Sequence, residues 1–410
     1  MKVWMLNHYG LPPKYHPISR TYNFGQCLLE DGYDVTIMTA STIHHTDVNL
    51  VEKGKKYKTE NVDGLKYVYM RAPDYQGNGI KRILNMCGYY RSLKKNWKKF
   101  GRPDVIVASS VHLLTCMAGI QIARKVNCRC IVEIADLWPL TLIEFGRIKE
   151  KSILAKVLYK LEYWVYKNAD ELIFTFEGGR DYVRNKGWDK KVNPDKIHYI
   201  NNGLILSRYE KQKEEKRLED VHLDNPDLFK VVYTGSIGDA NALEYLIEAA
   251  ETAKNKGVPD MVFLLWGDGP NKKKFQDYCD EHGLDNVIFK GKVKKEMVAG
   301  ILSRSDVNVL MGHPYPLYQY GISMNKLFDY MASGKPVVSN IKCGYDILER
   351  NQCGMTVDGK KENAIFEALM QFHDMSREEY DVWCNRAKEA VKEFDFHNLT
   401  KKLEKIIENG

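Results

Sequence analysis

Short apolar runs rich in valine and isoleucine alternate with amphipathic segments through the first half of the chain. The amphipathic segment 22–31 predicts a helix that Gly32 closes. Strands that alternate with helices favour a parallel sheet covered on both faces. The runs that predict strands in this half are 2–7, 34–39, 104–108, 130–134 and 171–176.

The alternation breaks and then restarts in the second half. Residues 211–220 are charged and poor in apolar positions, and the Asp-Asn-Pro-Asp sequence at 224–227 is typical of a turn. The predicted strands that follow are 230–233, 261–266, 287–290, 307–311 and 336–339, and the predicted helices are 243–255, 273–282, 326–332 and 364–372. We therefore predict two doubly wound α/β domains over 1–205 and 206–385, followed by a charged, mostly helical segment over 386–410.

Composition narrows the class of protein. Of the 410 residues, 44% are hydrophobic, which is ample for substantial cores, and no stretch has the character of a membrane span. Nine scattered cysteines without a Cys-x-x-Cys pair predict reduced thiols in the cytosol and no zinc site. The chain enters a strand pattern at once, so we expect no signal peptide.

Charge is distributed unevenly along the chain. Residues 1–200 carry 32 lysines and arginines against 20 acids, although the whole chain has a net charge of +7. The basic half predicts an anionic partner: a membrane surface, a phosphate-bearing lipid or a nucleic acid. Nucleic acid is disfavoured, because no helix-turn-helix, zinc-finger, RRM or KH signature is present.

One segment of the basic half has the pattern of a membrane-surface helix. Apolar residues recur at helical spacing, and eight lysines and arginines lie between or beside them, with no acid between Asp74 and Asp104. This pattern predicts a helix that lies on an anionic membrane. The alternative is a helix whose stripe faces the core and whose lysines are solvated. The stripe consists of Ile83, Met86, Tyr90, Leu93, Trp97 and Phe100.

Two glycine loops follow predicted strands of the second domain. Gly235, Ser236 and Gly238 come after strand 230–233, and Gly267 and Gly269 come after strand 261–266. A glycine turn between a strand and a helix lets backbone amides approach a phosphate. Each loop by itself is explained equally well as a tight turn. Two such loops after neighbouring strands favour a nucleotide site.

The most specific motif runs from Gly321 through the helix predicted at 326–332. Ser323 or Asn325 is suited to cap that helix, which places Lys326 in its first turn. A lysine there opposes the helix dipole, so a bound anion is the simplest reason for it. Asp329 follows on the same face and is suited to accept hydrogen bonds from a ribose. The alternative is an ordinary surface pair of lysine and aspartate.

Polar residues also follow strands of the first domain. Asp136 comes just after strand 130–134, beside Glu133 and Trp138, and is either part of a substrate site or a helix cap. The loop after the first strand lacks the G-x-G-x-x-G fingerprint, which argues against a nicotinamide enzyme. His8 and Arg20 of this loop are candidates to contact an acceptor phosphate, and exposed loop residues are the alternative.

Together these motifs resemble glycosyltransferase family 4, whose members have the GT-B fold of two Rossmann-like domains facing across a cleft. The resemblance covers essentially the whole chain and rests on the two glycine loops, Asn202-Gly203 and the block 326–338. In detail, Asn7-His8-Tyr9 and Asp136-Leu-Trp-Pro are similar to the WbuB-like amino-sugar transferases of bacterial O-antigen and capsule assembly.

The resemblance implies a retaining transfer from a UDP-sugar to a polyprenyl-diphosphate-linked glycan. The sugar would be an N-acetylated amino sugar, and the enzyme would act at the inner face of the cytoplasmic membrane without a cofactor or metal, as a monomer or homo-oligomer. The donor would lie on the second domain, and the last helix would cross back to the first. Lys326 and Asp136 would be catalytic, and His8, Arg20 and Arg82 would bind the acceptor. The implied donor-binding residues are Gly235, Ser236, Gly238, Gly267, Gly269, Val293, Gly321, Ile322, Ser323, Asn325 and Asp329.

The sequence departs from the family pattern at three places. Gly321 stands where the family usually has a glutamate, and Ala135 stands where an arginine or histidine is usual. Residues 239–244 lack the arginine and lysine that many relatives use to hold the diphosphate, so Lys326 carries more of that role. Two alternatives stay open: a UDP-sugar epimerase or phosphorylase on the same fold, and a non-catalytic partner that binds sugar nucleotides.

Overall fold

The computed structural model describes residues 1–17, 19–44, 46–77 and 79–409, and the chain divides into two compact units. The first unit contains residues 1–201 together with 396–409, and the second contains Asn202–Asp395. The predicted domain boundaries at 205 and 385 lie four and ten residues away from these limits. The segment 386–395 belongs to the second unit, and only the last helix belongs to the first.

The first unit is built on an eight-stranded sheet. Its strand order is β3-β4-β2-β1-β5-β6-β7-β8, and every neighbouring pair is parallel except β3 with β4. The hairpin of β3 and β4 was not predicted from the sequence. The strands are β1 (Lys2–Asn7), β2 (Asp34–Ala40), β3 (Tyr57–Val62), β4 (Leu65–Met70), β5 (Val105–Ser110), β6 (Arg129–Ile134), β7 (Glu171–Phe174) and β8 (Ile197–Tyr199).

Helices cover both faces of this sheet. Right-handed connections place α2, α3 and α5 on one face, and α1 and α15 pack together on the other. The rings of Phe24 and Phe396 lie 5.0 Å apart between α1 and α15. These helices are α1 (Arg20–Glu30), α2 (Ile80–Asn96), α3 (Leu113–Val126), α4 (Leu140–Glu144), α5 (Ile153–Asn168), α6 (Gly179–Asn185) and α15 (Phe396–Glu408).

The second unit is a six-stranded, fully parallel sheet of order β11-β10-β9-β12-β13-β14. Its strands are β9 (Phe229–Thr234), β10 (Met261–Trp266), β11 (Val287–Gly291), β12 (Val307–Leu310), β13 (Val337–Ser339) and β14 (Gly354–Thr356). Its helices are α7 (Leu206–Glu215), α8 (Glu244–Asn255), α9 (Lys272–Glu281), α10 (Val298–Leu302), α11 (Asn325–Ala332), α12 (Ile347–Asn351), α13 (Ala364–His373) and α14 (Arg377–Ala390).

Strand β10, which lies inside the sheet between β11 and β9, shows how the sheet is buried on both faces. All six of its residues are apolar and buried. Phe263 and Leu265 join one core layer, and Leu264 and Trp266 join the layer on the opposite face, as the alternation of a strand requires. The prediction of doubly wound α/β architecture is therefore confirmed. The charged stretch predicted as a break forms much of helix α7 instead.

The amphipathic stripe predicted to lie on a membrane faces the core instead. Met86, Leu93 and Trp97 are all buried in the first unit, and Tyr90 donates a hydrogen bond to Gln121 on α3 at 2.8 Å. Only Ile83, at the start of the stripe, is exposed. Among the residues that the structure describes, no helix combines the length and the apolar character needed to cross a bilayer. All nine cysteines are free thiols.

Candidate active site

The two glycine loops of the second unit meet through their backbones. The amide of Gly235 donates to the carbonyl oxygen of Trp266 at 2.9 Å, and the amide of Ile237 donates to that of Asp268 at 2.9 Å. A Cβ atom on Gly267 would lie 1.7 Å from the Gly235 oxygen, and one on Gly269 would lie 2.2 Å from the Ile237 oxygen. These glycines are therefore required for the loops to approach each other.

This packing corrects the expectation that the whole first loop offers its amides to a phosphate. The amides of Gly235 and Ile237 are already used within the protein. The amides of Ser236 and Gly238 donate to no acceptor within the described part of the chain. Any backbone contribution from this loop to an anion must therefore come from Ser236 and Gly238.

Lys326 reaches from the first turn of α11 to the first glycine loop. Its Nζ donates to the Tyr233 hydroxyl at 3.1 Å and to Oδ1 of Asn241 at 2.5 Å, and it lies 4.8 Å from the centre of the Tyr233 ring. Both partners are neutral, and no carboxylate of a described residue lies within ion-pair distance. Desolvation lowers the pKa of the Lys326 ammonium to about 8. The site therefore holds a positive charge that no acid compensates.

The start of α11 adds backbone donors beside this charge. The cap residue is Met324, and no side chain caps the helix, so the prediction that Ser323 or Asn325 caps it is wrong. Ser323 is held by Asn202 instead, whose side-chain amide donates to the Ser323 carbonyl oxygen at 2.8 Å. Uncapped amides at a helix start attract an anion through hydrogen bonds and the helix dipole. Lys326 thus lies beside backbone donors in an arrangement that favours a bound anion.

Asp329 pairs with a different lysine from the one the sequence suggested. Its Oδ2 accepts a hydrogen bond from Nζ of Lys295, so the ordinary Lys326–Asp329 helix pair does not form. The Asp329 side chain is 15% exposed, and its predicted contact with a ribose stays a prediction. Val293 is half-buried just after β11, and Ile322 is half-buried just before α11.

Gly321 adopts a backbone conformation that favours glycine. Its φ is +98°, and its amide donates to the Tyr318 carbonyl oxygen at 2.9 Å. A side chain in this left-handed region is strained. The departure from the family's usual glutamate is therefore accompanied by a local backbone that suits glycine.

Asp136 lies at the carboxyl end of the first unit's sheet, just after β6. Its side chain is exposed, and its carboxylate has no hydrogen-bond or ion-pair partner among the described residues. Although solvent reaches the side chain, the protein around the carboxylate displaces part of its hydration shell and raises the pKa of this carboxyl to about 6. A carboxylate with this pKa is suited to accept a proton near neutral pH.

Arg20 and Glu133 form a buried pair instead of contacting solvent. Arg20 is the first residue of α1, and its Nε donates to Oε2 of Glu133 at 2.8 Å. The same guanidinium donates to the backbone oxygens of Ile200 and Asn201 after β8. The picture of Arg20 as an exposed loop cation is wrong, because these contacts hold its guanidinium. Its acceptor role stays a prediction.

His8 is buried, contrary to the expectation of an exposed loop residue. It is 1% exposed, its ring lies 4.7 Å from that of His112, and neither ring has a hydrogen bond within normal distance. Burial and the neighbouring histidine lower the pKa of His8 far below its usual value. His8 is thus neutral at physiological pH and does not supply a positive charge to an acceptor phosphate. Arg82 nearby donates from Nε to the Tyr9 hydroxyl at 2.9 Å.

Sequence reasoning did not identify the residues that position Lys326. Tyr233 is the penultimate residue of β9 and was assigned only to the strand. Asn241 lies in the segment noted for its missing cations. The presence of a polar side chain at Asn241, in a segment without cations, was the available signal for a partner of Lys326. Lys295 was also missed, since nothing in the local sequence connects it with Asp329.

Comparison with known structures supports the fold first. The chain superposes on sucrose-phosphate synthase of Thermosynechococcus elongatus with a TM-score of 0.72 and 16% sequence identity, over 98% of this chain and 97% of that one. Two doubly wound α/β units of this kind define the GT-B class of glycosyltransferases.

Sequence comparison then identifies the family. Residues 229–374 match the family described as "Glycosyl transferases group 1", and residues 18–203 match the "Glycosyl transferase 4-like domain". Together the two matches span most of both units. The chain therefore belongs to glycosyltransferase family 4, as its motifs predicted.

Two bacterial relatives are about a quarter identical to this chain over the aligned residues. WcaI of Escherichia coli (strain K12), a glycosyl transferase assigned to colanic acid biosynthesis, is 23% identical over 69% of this chain and 70% of its own length. The UDP-Gal:alpha-D-GlcNAc-diphosphoundecaprenol alpha-1,3-galactosyltransferase of Escherichia coli is 24% identical over 80% of each chain.

Proposed function

We propose that this protein is a retaining glycosyltransferase of bacterial surface-polysaccharide assembly. It moves a sugar, which we propose is an N-acetylated amino sugar, from UDP to a polyprenyl-diphosphate-linked glycan at the cytoplasmic face of the membrane. The relatives named for colanic acid synthesis and for a diphosphoundecaprenol acceptor support this role. The observation that carries the proposal is the uncompensated Lys326 ammonium beside the uncapped start of α11.

The proposed chemistry is stabilisation of the leaving group. The bond between the anomeric carbon and the β-phosphate oxygen of the donor breaks, and a bond from that carbon to the acceptor oxygen forms. Negative charge accumulates on the departing diphosphate, and Lys326, the first amides of α11 and the amides of Ser236 and Gly238 stabilise it. Because these donors are fixed before the reaction, they need little reorganisation as the charge develops.

The proton of the acceptor hydroxyl has two possible destinations. In a front-face retaining reaction the departing phosphate oxygen takes it as the new bond forms. Asp136 is the protein group proposed to orient that hydroxyl or to accept its proton, since its carboxylate is unpaired and its pKa is about 6. The Asp136→Asn variant keeps the side-chain shape without the basicity and therefore measures the base contribution.

The experiment begins with a thermal-shift screen of UDP, GDP, ADP and their sugars. We expect UDP and UDP-linked amino sugars to raise the thermal midpoint most, because a ligand that binds only the folded state stabilises it. Transfer is then measured with the selected donor and a polyprenyl-diphosphate-linked sugar, and the anomeric configuration of the product is read by NMR. An α-linked product from an α-linked donor is expected, with activity unchanged by a metal chelator.

Three results would contradict the proposal. Stabilisation by GDP or ADP alone would exclude the uridine donor, and an inverted linkage would exclude the retaining reaction. Epimerisation or phosphorolysis of the donor without an acceptor would assign a different reaction to the same fold.

A further inference from the structure

The first unit exposes apolar side chains at the first turns of two helices. On α2, Ile80 and Ile83 are 75% and 56% exposed, and Leu84 lies beside them at helical spacing. On α5, Ile153 and Leu154 are 82% and 52% exposed. The neighbouring Val157 extends the α5 patch, since it is also more than half exposed. Isolated exposed apolar residues are ordinary, but two clusters of them at the starts of two helices in one unit favour a binding surface.

The two clusters lie at the same edge of the unit. Helix α2 begins after the carboxyl end of β4, and α5 begins in the segment that follows the carboxyl end of β6. In a sheet where these strands run parallel, the carboxyl ends share one edge. Helix α3 packs between α2 and α5, so the two helix axes are about 20 Å apart at usual packing distances. Asp136 also follows β6, so the candidate base belongs to this edge.

Lysines and arginines surround these apolar residues. Lys81 lies between the exposed isoleucines of α2, and the segment 145–160 carries five cations against one acid, Glu150. Lys149, Lys151 and Lys156 are exposed and have no ion-pair partner among the residues that the structure describes. Apolar side chains surrounded by unpaired cations match the chemistry of an anionic bilayer, which offers hydrocarbon below a layer of phosphates.

We propose that the starts of α2 and α5 form a docking surface for an anionic lipid bilayer. We call this the α2/α5 surface: Ile80, Lys81, Ile83, Leu84, Lys149, Lys151, Ile153, Leu154, Lys156 and Val157. It replaces the buried stripe as the membrane contact and places the bilayer at the edge that carries Asp136. The inference extends the proposed lipid-linked acceptor, but vesicle binding tests it without any donor or acceptor.

Two variants test the two components of the surface. Ile83→Ser with Ile153→Ser removes one large apolar group from each helix, and Lys149→Gln, Lys151→Gln and Lys156→Gln remove three charges. Binding is measured by flotation with vesicles of phosphatidylcholine alone and of phosphatidylcholine mixed with phosphatidylglycerol. Wild type should bind the mixed vesicles much more strongly. The apolar variant should lose about a hundredfold in partition coefficient, and the charge variant about tenfold or more.

Matched controls separate this surface from general charge or hydrophobicity. Val221→Ser with Val382→Ser removes two exposed apolar residues from the second unit. Lys95→Gln with Lys98→Gln and Lys99→Gln removes three exposed charges from the last turn of α2 and the turn after it, at least about 22 Å from Ile80 along the helix direction. Both controls should bind mixed vesicles like wild type. Circular dichroism and the response of the thermal midpoint to UDP verify that all variants are folded.

Each outcome decides the inference. Equal flotation of wild type and the two surface variants would overturn it, as would a loss of binding in the Lys95, Lys98 and Lys99 control. A wild-type dimer that the apolar variant dissociates in analytical ultracentrifugation would assign the surface to a second copy of the chain. Normal flotation without sugar transfer would leave the surface supported and the proposed transferase activity contradicted.

Discussion

Replacing Lys326 with methionine isolates the charge on which the proposed chemistry depends. Methionine retains an unbranched, apolar stem of similar length, which in Lys326 runs close to Gly235, and lacks the ammonium. The two groups that Lys326 contacts are the Tyr233 hydroxyl and the Asn241 amide oxygen, both neutral. When the variant removes the ammonium, these two neutral groups lose a partner but no buried charge is left unpaired. We therefore expect the thermal midpoint to change little.

The effect on catalysis should be much larger. Removing one fixed donor to a developing negative charge costs about 2.7–4 kcal/mol in the activation barrier, which corresponds to a loss of roughly 10²–10³ in kcat. The size of this loss in kcat depends on how few other groups stabilise the departing diphosphate. Residues 239–244 contain no lysine or arginine, and no described carboxylate shares the Lys326 charge.

The assay measures initial rates of sugar transfer over a range of donor concentrations at saturating acceptor. The control is Lys335→Met, which removes a half-buried lysine that follows α11 and lies 5.8 Å from the Tyr380 ring. The control should retain nearly all of its kcat. A Lys326→Met enzyme whose kcat stays within about threefold of wild type would refute the leaving-group role.

Three further predictions concern the same site. The donor kcat/KM should fall above pH 8, because the free enzyme then loses the Lys326 proton. Lys326→Arg should move this decline to higher pH. A flat profile to pH 9.5 would contradict the charge requirement. Asn241→Asp should weaken UDP binding in calorimetry by about tenfold or more, because a carboxylate 2.5 Å from the ammonium would compete with the diphosphate, whereas Asn241→Ser should bind more nearly like wild type. Gly267→Ala should lower the free energy of unfolding in urea by at least about 3 kcal/mol, because its Cβ would overlap the Gly235 oxygen. The control Gly257→Ala, also at positive φ but without neighbours, should lower it by only about 1–2 kcal/mol. Equal losses in the two variants would refute the steric argument.

The second unit could be predicted in large part from the sequence: five of its six strands were identified, whereas β14 and the helices α7, α10 and α12 were not. Its strands are continuous apolar runs such as 261–266, which is the signal of a parallel strand buried on both faces. The hairpin of β3 and β4 in the first unit was missed for the opposite reason. Strand β3 is an antiparallel edge strand whose residues are mostly polar and partly exposed, so its pattern lacks the apolar run.

The contacts at the candidate site that the sequence did not predict were missed for one physical reason. Lys326 was predicted to meet an anion from its place in a helix start, which is a local property. Its pairing with Asn241 and the pairing of Lys295 with Asp329 join residues far apart in sequence, so no local pattern contains them. His8 shows the same limit, since its burial depends on His112 and Tyr89 rather than on the polar residues beside it in the chain.

The stripe on α2 shows why an amphipathic pattern does not determine what covers it. The spacing correctly predicted a helix with one apolar face, but α2 packs that face on the sheet. The exposed apolar residues lie at its first turn, together with those of α5, and only the fold brings these two helix starts to one edge.

The most direct measurement compares UDP with UMP in calorimetric titrations of wild type and Lys326→Met. If Lys326 and the start of α11 hold the diphosphate, wild type should bind UDP at least about tenfold more tightly than UMP, and the variant should lose most of that preference. Equal affinity of wild type for UDP and UMP, or an unchanged preference in the variant, would contradict the diphosphate site.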